Sequence, residues 1–260
     1  MPYTQQALNE SRRFGVRPVP TLRPLAWLGR GWQDLRRCAL LSLLQGLLLL
    51  GGGVIIYRVW GDHFGLLAGA FSGLLLVAPV LATGFYASSR ALERGQKPGL
   101  HTLVQAFWPG HVQLIKFGLL LGLAGAGWML CSAALITLMA PGAVHTPTEF
   151  LYRVVLAEDS LLFPLWLALG ALLAAPVFAS SVVAVPLLMD QRLRVLAAVF
   201  ASWRVVMEHP APCALWAFLI MALVGLGMAT AMLGLVVILP WLGHASWHAY
   251  RDLVRQPVEH

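Results

Sequence analysis

Charged residues are scarce in this sequence. Asp, Glu, Lys and Arg make up 11% of its 260 residues and hydrophobic residues make up 59%, whereas soluble globular domains carry about 25% charged residues. The run from His209 to Tyr250 has none of the four charged types over 42 residues. A membrane-spanning helix needs about 20 apolar residues. The composition therefore excludes a soluble globular protein and predicts an integral membrane protein.

Cysteines and catalytic motifs are also few. The three cysteines lie far apart, at Cys38, Cys131 and Cys213, so the sequence gives no disulfide framework and no zinc site. There is no hydrolase serine elbow, phosphate-binding loop or pair of carboxylates within a hydrophobic run. We therefore predict that the protein is not an enzyme.

Ionisable residues inside membrane spans usually mark ion or proton paths. Here Arg90, Lys116 and Asp190 all fall at the predicted ends of spans, which argues against a proton-coupled or charged-substrate carrier. We interpret Asp190 as a helix-end charge. The alternative is an ion pair with Arg192, Arg194 or an arginine from elsewhere in the chain.

The hydrophobic runs predict an all-α, polytopic membrane bundle of about six transmembrane helices. The last run is too long for one crossing and suits two, with a reversal near Gly225, Gly227 or Gly234. The predicted spans cover about residues 38–59, 65–88, 114–139, 161–189, 212–227 and 229–250. They form one membrane domain over residues 25–255, between a flexible basic tail (1–24) and a short tail (256–260).

Three shorter segments have the pattern of amphipathic helices that lie in the membrane interface. Each carries a tryptophan, at Trp32, Trp108 and Trp203. Basic side chains near the span ends are expected to reach lipid headgroups; they are Arg36, Arg37, Arg90, Arg94 and Arg251. We predict that these tryptophans and arginines are interfacial or lipid-facing.

The distribution of basic residues sets the topology. With six spans, 16 of the 18 lysines and arginines fall on one side, and only Arg58 and Arg153 fall on the other. Cytoplasmic loops carry the excess of basic residues, so both termini are expected in the cytoplasm. A net charge of +7 arranged in this way favours anionic lipid headgroups as partners and argues against nucleic acid.

The interfacial tryptophans are followed by prolines within hydrophobic runs, at Pro79, Pro186 and Pro240. Proline in a spanning helix usually produces a kink. The markers are compatible with a threefold repeat of an amphipathic helix and a two-span hairpin. Such repeats are common in transporters, and gene duplication leaves the same pattern in a scaffold.

His244 and His248 are four residues apart and share one helix face. One interpretation is a haem or metal site at the end of the last span. The alternative, which we favour, is a pair of interfacial histidines among Trp241, Trp247 and Tyr250. No cofactor is therefore predicted, and haem or metal is kept as the alternative.

Several motifs carry a resemblance to a known family. They are Gly31-Trp32-x-Asp34-Leu35, Ser88-Ser89-Arg90-x-Leu92-Glu93, the segment from Val182 to Asp190, and Gly243-His244-Ala245-Ser246-Trp247-His248-Ala249-Tyr250-Arg251. From about Leu25 onward the chain resembles the bacterial integral membrane family called domain of unknown function 2189. This family has no established activity. The resemblance implies a bacterial inner-membrane location, and labels on some members imply an accessory partnership with a respiratory oxidase.

Three functional hypotheses follow. The first is a non-catalytic accessory or scaffold protein of the inner membrane, which assists a larger complex or organises lipid. The second is a carrier or channel for an apolar or amphipathic solute. The third is a haem or metal protein that uses His244 and His248.

Overall fold

A computed structural model describes residues 3–60, 80–106, 112–157 and 161–255. The fold is all-α, as expected. The helices are α1 (Tyr3–Ser11), α2 (Arg23–Arg37), α3 (Ala39–Trp60), α4 (Thr83–Glu93), α5 (Leu100–Ala106), α6 (Val112–Met139), α7 (Pro147–Phe150), a π-helical turn (Leu151–Val155), α8 (Leu162–Ser181), α9 (Ala184–Asp190), α10 (Val195–Glu208), α11 (Pro210–Ala229) and α12 (Leu235–Leu253). In addition, β1 (Gly15–Val16) pairs antiparallel with β2 (Val254–Arg255).

Several of these helices suit a lipid bilayer. Within the described ranges, three are long and apolar enough to cross a membrane: Val112–Met139, the α8–α9 segment Leu162–Asp190, and Pro210–Ala229. A fourth candidate joins α2 to α3 through a bend of 102° at Cys38. In the most apolar windows of α6 and α11, only 22% and 28% of residues are buried within the protein. Such large exposed apolar faces are stable only in lipid or against a partner, so the protein is a membrane protein.

Four of the six predicted spans coincide with helices of the structure. Spans 114–139, 161–189 and 212–227 coincide with the three helices, and span 38–59 coincides with α3. Most of span 65–88 lies outside the described residues. The sixth, 229–250, falls largely on α12, which does not meet the criteria for a spanning helix. The count of six and the single domain over 25–255 therefore remain predictions.

The final hydrophobic run forms two helices, α11 and α12. The chain reverses between them at Ala231 and Met232, whose φ angles are 51° and 68°. This left-handed region usually favours glycine, yet Gly225 and Gly227 remain within α11. Gly234, the third glycine named in the prediction, lies at the start of α12, so the reversal falls between Gly227 and Gly234.

The chain divides into two compact units built from discontinuous segments. Unit 1 comprises Met1–Leu50, Pro79–Phe117 and Phe178–His260, and unit 2 comprises Gly51–Ala78 and Gly118–Val177. By residue content, unit 1 carries 16 basic and 7 acidic residues, a formal charge of +9, while unit 2 carries 2 and 4, a charge of −2. The units thus reproduce the division of basic residues on which the predicted topology rests.

Within unit 2, α6 and α8 pack through aromatic side chains. The rings of Trp128 and Trp166 lie 5.4 Å apart, and the Trp166 indole N–H donates to Ser132 Oγ at 2.7 Å. Gly170 lies against Trp128, because a Cβ at that position would approach the indole ring to 3.1 Å. This indole hydrogen bond satisfies the polar end of a tryptophan inside an apolar unit.

Within unit 1, α12 is the central helix and packs against α2, α4, α9 and α11. Glycine permits two of its closest approaches. A Cβ at Gly31 of α2 would lie 2.6 Å from the backbone nitrogen of Ala245. A Cβ at Gly46 of α3 would overlap the Val236 carbonyl, which has no intrahelical partner because Pro240 lacks an N–H.

The prolines act differently at the two positions described. α8 ends at Ser181 and α9 begins at Ala184, so the helix is interrupted just before Pro186. The Val183 N–H at the interruption donates to Ser202 Oγ at 3.3 Å, which replaces a lost helical bond. Pro240 lies inside α12, whose helical assignment continues through it. Pro79 lies outside the described residues.

The N-terminal segment differs from the expected flexible tail. Residues 3–17 form α1 and β1, and α1 packs against α10. The Arg204 guanidinium donates to the Ser11 and Phe14 carbonyls, and Glu10 lies 3.7 Å from Arg194. Its partners are polar groups almost 200 residues away, so the local composition gives no signal of this packing.

Candidate functional site

A polar network lies between α2, α3, α4 and α12 in unit 1. It begins with the stripe His244, His248 and Asp252, which the four-residue spacing places on one face of α12. This face packs on α2, where Asp34 is buried. Polar side chains at a helix interface are stable only when they bond to each other. The network therefore connects helices as well as concentrating reactive groups.

His244 is at the centre of the network and is fully buried. Its Nε2 atom lies 2.9 Å from Ser42 Oγ, and its Nδ1 atom lies 2.7 Å from Ser89 Oγ. Ser89 donates to Asp34 Oδ2 at 2.8 Å, and His248 Nε2 lies 2.8 Å from the same oxygen. Both imidazoles thus already have hydrogen-bond partners.

These bonds define the proton position on His244. The single hydroxyl hydrogen of Ser89 goes to the Asp34 carboxylate, which can only accept. The short contact between Ser89 and Nδ1 therefore requires that Nδ1 carry a proton. In the neutral ring, Nε2 then accepts from the Ser42 hydroxyl. The result is one chain of bonds, from Ser42 through His244 and Ser89 to Asp34.

Asp252 is the last residue of the stripe, near the C-terminal end of α12. Its carboxylate accepts from Arg23 Nε at 2.7 Å, from the Trp27 indole N–H at 2.8 Å and from the Arg30 guanidinium. Burial raises the pKa of the Asp252 carboxyl, but the bonds from Arg23, Arg30 and Trp27 outweigh burial and hold the pKa below its ordinary value of 3.8. We call this group of four residues the α2–α12 clamp.

Two further acidic side chains join α12 to the rest of unit 1. Glu93 of α4 accepts from the Trp247 indole at 3.2 Å and from Arg251 Nε at 3.0 Å. Asp190 of α9 accepts from the Tyr250 hydroxyl at 2.9 Å. The C-terminal half of α12 is therefore bonded to three other helices.

Asp190 also pairs with Arg90, whose Nε atom lies 3.2 Å from Asp190 Oδ1. The contact lacks hydrogen-bond geometry, since this buried Nε has no hydrogen-bond partner, so it is an ion pair. Of the alternatives for Asp190, the structure selects an arginine from elsewhere in the chain over Arg192 and Arg194. Arg90, Asp190 and Tyr250 come from the three segments of the suggested repeat, which itself remains a prediction.

The residues predicted to be interfacial have different surroundings. Trp32 and Trp203 are about 40% and 39% exposed, as an interfacial position requires, and Arg36, Arg37 and Arg94 are also exposed. Arg90 and Arg251 instead pair with acidic side chains. Trp108 lies outside the described residues. Contact with lipid remains a prediction for all of these residues.

The haem or metal interpretation of His244 and His248 also remains a prediction. Among the described residues, no group of three or more His, Cys, Asp or Glu side chains is arranged to hold a metal ion. A ligand at His244 would have to displace the Ser42 or Ser89 hydroxyl. The groups around this histidine are two hydroxyls and the Cys38 thiol, which lies 3.9 Å from Nε2 and already contacts the Asp34 carbonyl and Ser42. This set suits an internal hydrogen-bond network better than metal coordination.

Sequence reasoning missed most partners of the two histidines. Ser42 and Asp34 were not predicted as partners of the histidines, and Ser89 was expected only to allow close helix packing, although Asp34 and Ser89 lie in motifs that carried the family resemblance. The available signal was the polar stripe that Asp252 continues on the face of His244 and His248. The hydrogen bonds of the clamp and the one between Ser89 and Asp34 join residues 55 to 229 positions apart in the sequence, which no local pattern reveals.

Comparison with known proteins identifies one family. Residues 66–190 match the family model described as "Predicted integral membrane protein (DUF2189)". The matched segment contains the motifs at Ser88 and at Val182–Asp190, while those at Gly31 and Gly243 lie outside it. No curated protein and no solved structure matches the chain. Over residues 66–190, slightly less than half of its length, the chain is therefore similar to the DUF2189 family of predicted integral membrane proteins.

Proposed function

We propose that the protein is a non-catalytic accessory or scaffold protein of the bacterial inner membrane, with both termini on the cytoplasmic side. The observation that carries this proposal is the use of the reactive groups. His244 and Ser42 are fully buried, and the Asp34 carboxylate bonds to Ser89 and His248. Histidine, serine and aspartate side chains often take part in catalysis in enzymes. In this protein they bond to one another and hold helices together, as in a structural protein.

The charge distribution supports the orientation. Unit 1, with a formal charge of +9, has the basic excess typical of the cytoplasmic side. Its strands β1 and β2 pair Gly15 with Arg255 and Val16 with Val254. Both ends of the described chain therefore belong on one side of the membrane, which requires an even number of crossings. The six-span arrangement, with both termini cytoplasmic, meets this condition.

Two helices of unit 1 expose apolar side chains suited to the membrane interface. α2 exposes Leu25 and Trp32, and α10 exposes Trp203 and Met207. α10 instead buries small residues such as Ala197 and Ala201 against the protein. An amphipathic helix that points its largest apolar groups outward is expected to contact lipid or a partner protein.

Native mass spectrometry of the full chain, extracted from its own membrane in mild detergent, tests the proposal. We expect foreign subunits at a fixed stoichiometry, and the same tagged chain extracted from an unrelated host should lack them. A bare monomer or homo-oligomer from both membranes would contradict the accessory function. A mass excess matching haem or metal would contradict it in favour of a cofactor protein.

The orientation is tested separately with reporters fused to each terminus. Both fusions should give a cytoplasmic signal, because β1 and β2 hold the two ends together. A periplasmic signal from either fusion would refute the proposed orientation, and different sides for the two ends would also contradict the strand pairing.

A further inference from the structure

An open polar cleft of about 360 Å³ lies in unit 1 beside the α2–α12 clamp. Four arginines line it: Arg17, Arg30, Arg37 and Arg251. The cleft also contains three carboxylates, those of Asp34, Glu93 and Asp252. Its ligand preference therefore depends on which of these charges are already neutralised inside the protein.

The three carboxylates have their donors. Asp252 accepts from Arg23, Trp27 and Arg30, as described above. Asp34 accepts from Ser89 and His248, and Glu93 accepts from Trp247 and Arg251. These bonds also occupy the guanidinium groups of Arg30 and Arg251. Asp34 has no arginine partner, but the four arginines and three carboxylates of the lining, with His248 counted as neutral, still leave the cleft a formal charge of +1, which favours an anion.

Arg17 and Arg37 remain as uncompensated cations. Both are exposed, and within residues 3–60, 80–106, 112–157 and 161–255 neither guanidinium has an ion pair or hydrogen bond. Their backbones are nevertheless fixed. The Arg17 N–H donates to the Leu253 carbonyl at 3.0 Å, and the Arg17 carbonyl lies 2.9 Å from His209 Nε2. Arg37 is the last residue of α2.

We propose that this cleft binds a terminal phosphate group, that of a phosphate monoester or of free inorganic phosphate, through Arg17 and Arg37. A phosphate monoester carries a charge of about −1.5 to −2 near pH 7, which matches two free guanidinium groups. Arginine also binds phosphate in a bidentate manner through its planar fork. A cleft volume of about 360 Å³ is within the usual range for small-molecule sites, roughly 300–1,000 Å³.

Two ligands share this chemistry, the headgroup of phosphatidic acid and inorganic phosphate. The inference deepens the proposed function and rests on its membrane orientation, because a headgroup bound in the cleft would hold unit 1 at the lipid surface. The binding test below uses the purified full chain without any partner protein. Its failure would leave the accessory proposal unaffected, and the failure of the accessory proposal would leave the site intact.

The test compares the variant Arg17→Gln/Arg37→Gln with the control Arg12→Gln/Arg13→Gln. The control removes the same charge from exposed arginines that do not line the cleft. Binding of short-chain phosphatidic acid, short-chain phosphatidylcholine and inorganic phosphate is measured on the full chain in phosphatidylcholine nanodiscs. Thermal unfolding confirms that each variant is folded.

We expect the cleft variant to lose roughly tenfold or more in affinity per guanidinium removed, as for other charge-assisted bonds, and the control to lose less than about threefold. Binding of phosphatidic acid alone would assign the site to a lipid headgroup, and comparable binding of inorganic phosphate would assign it to a soluble phosphate. Equal losses in both variants, equal binding of phosphatidylcholine, or no binding of either phosphate would overturn the proposal.

Discussion

Replacement of Asp252 by Asn tests the α2–α12 clamp most directly. Asn has nearly the same size, but its amide group brings donors toward Arg23, Trp27 and Arg30, all of which are donors themselves. Trp27 is fully buried, so its indole N–H has no access to water. Arg23, Trp27 and one Arg30 nitrogen all bond to Oδ2 of Asp252. An Asn oxygen at that position would have to serve all three donors without a negative charge, while the Asn NH2 group would face the Arg30 nitrogen that now bonds to Oδ1.

The expected cost follows from these surroundings. Weakening the buried Trp27 bond and placing an NH2 group against an Arg30 donor costs about 1–3 kcal/mol. Arg23 and Arg30 are 41% and 34% exposed, so each can be hydrated again and adds about 1 kcal/mol or less. We expect a total destabilisation of roughly 2–4 kcal/mol. For a chain of this size, that corresponds to a fall in melting temperature of about 5–15 °C.

The assay is thermal unfolding of the purified full chain in mild detergent, followed by tryptophan fluorescence. Glu208→Gln is the control, since Glu208 is 49% exposed and lies 3.9 Å from Arg204. It should change stability by less than about 0.5 kcal/mol. If Asp252→Asn melts within about 2 °C of the natural chain, the carboxylate does not hold the two helices together and the reasoning is wrong.

A second substitution identifies the source of the cost. Trp27→Phe removes the indole donor while keeping an aromatic ring. If the weakened indole bond dominates, Asp252→Asn should cost about 1 kcal/mol less in the Trp27→Phe background than in the natural chain. Strictly additive effects would instead attribute the loss to the arginines.

Three further predictions use the same thermal assay. Gly31→Ala should destabilise the protein by several kcal/mol, since its Cβ would lie 2.6 Å from the Ala245 backbone nitrogen. The control Gly29→Ala, whose Cβ would have nothing within 4 Å, should be neutral or stabilise by about 0.5–1 kcal/mol. Equal effects of the two substitutions would argue against the close helix contact. Ser89→Ala should cost about 1–3 kcal/mol of stability because it breaks the network. Ser88→Ala should cost less than half as much, because the Ser88 hydroxyl bonds only to its own helix. The reverse order would contradict the network. Because the folded-state pKa of Asp252 lies below 3.8, its contribution to the free energy of unfolding is fully present above pH 3.8 and is lost as the pH falls through the lower folded-state pKa. Asp252→Asn should therefore reduce the loss of stability at acid pH. An unchanged dependence of stability on acid pH would refute this assignment.

The membrane character of the protein could be predicted because it depends on composition. Long apolar runs such as His209–Tyr250 have few stable conformations outside a bilayer, and helix formation satisfies their backbone groups locally. The asymmetry of the basic residues is likewise a property of the sequence. Both predictions needed only which residues occur and how they are spaced.

The candidate site could be predicted only in part. The four-residue spacing of His244 and His248 correctly placed them on one helix face. Their partners could not be derived, because Asp34 and Ser89 come from helices 55 residues apart in sequence. The fold of residues 3–17 was hidden for the same reason, since their partners are polar groups on α10 and the C-terminal strand.

The sequence by itself determined the all-α class, the membrane environment and the location of four apolar helices, since hydrophobic periodicity and length act locally. Tertiary structure alone decided that α12 packs at the centre of a polar network, that Asp190 pairs with Arg90, and that Arg17 and Arg37 share one cleft. The physical reason is that hydrogen bonds and ion pairs are short-range in space. They join residues that any distance along the chain can separate, and only the packing of the helices brings them together.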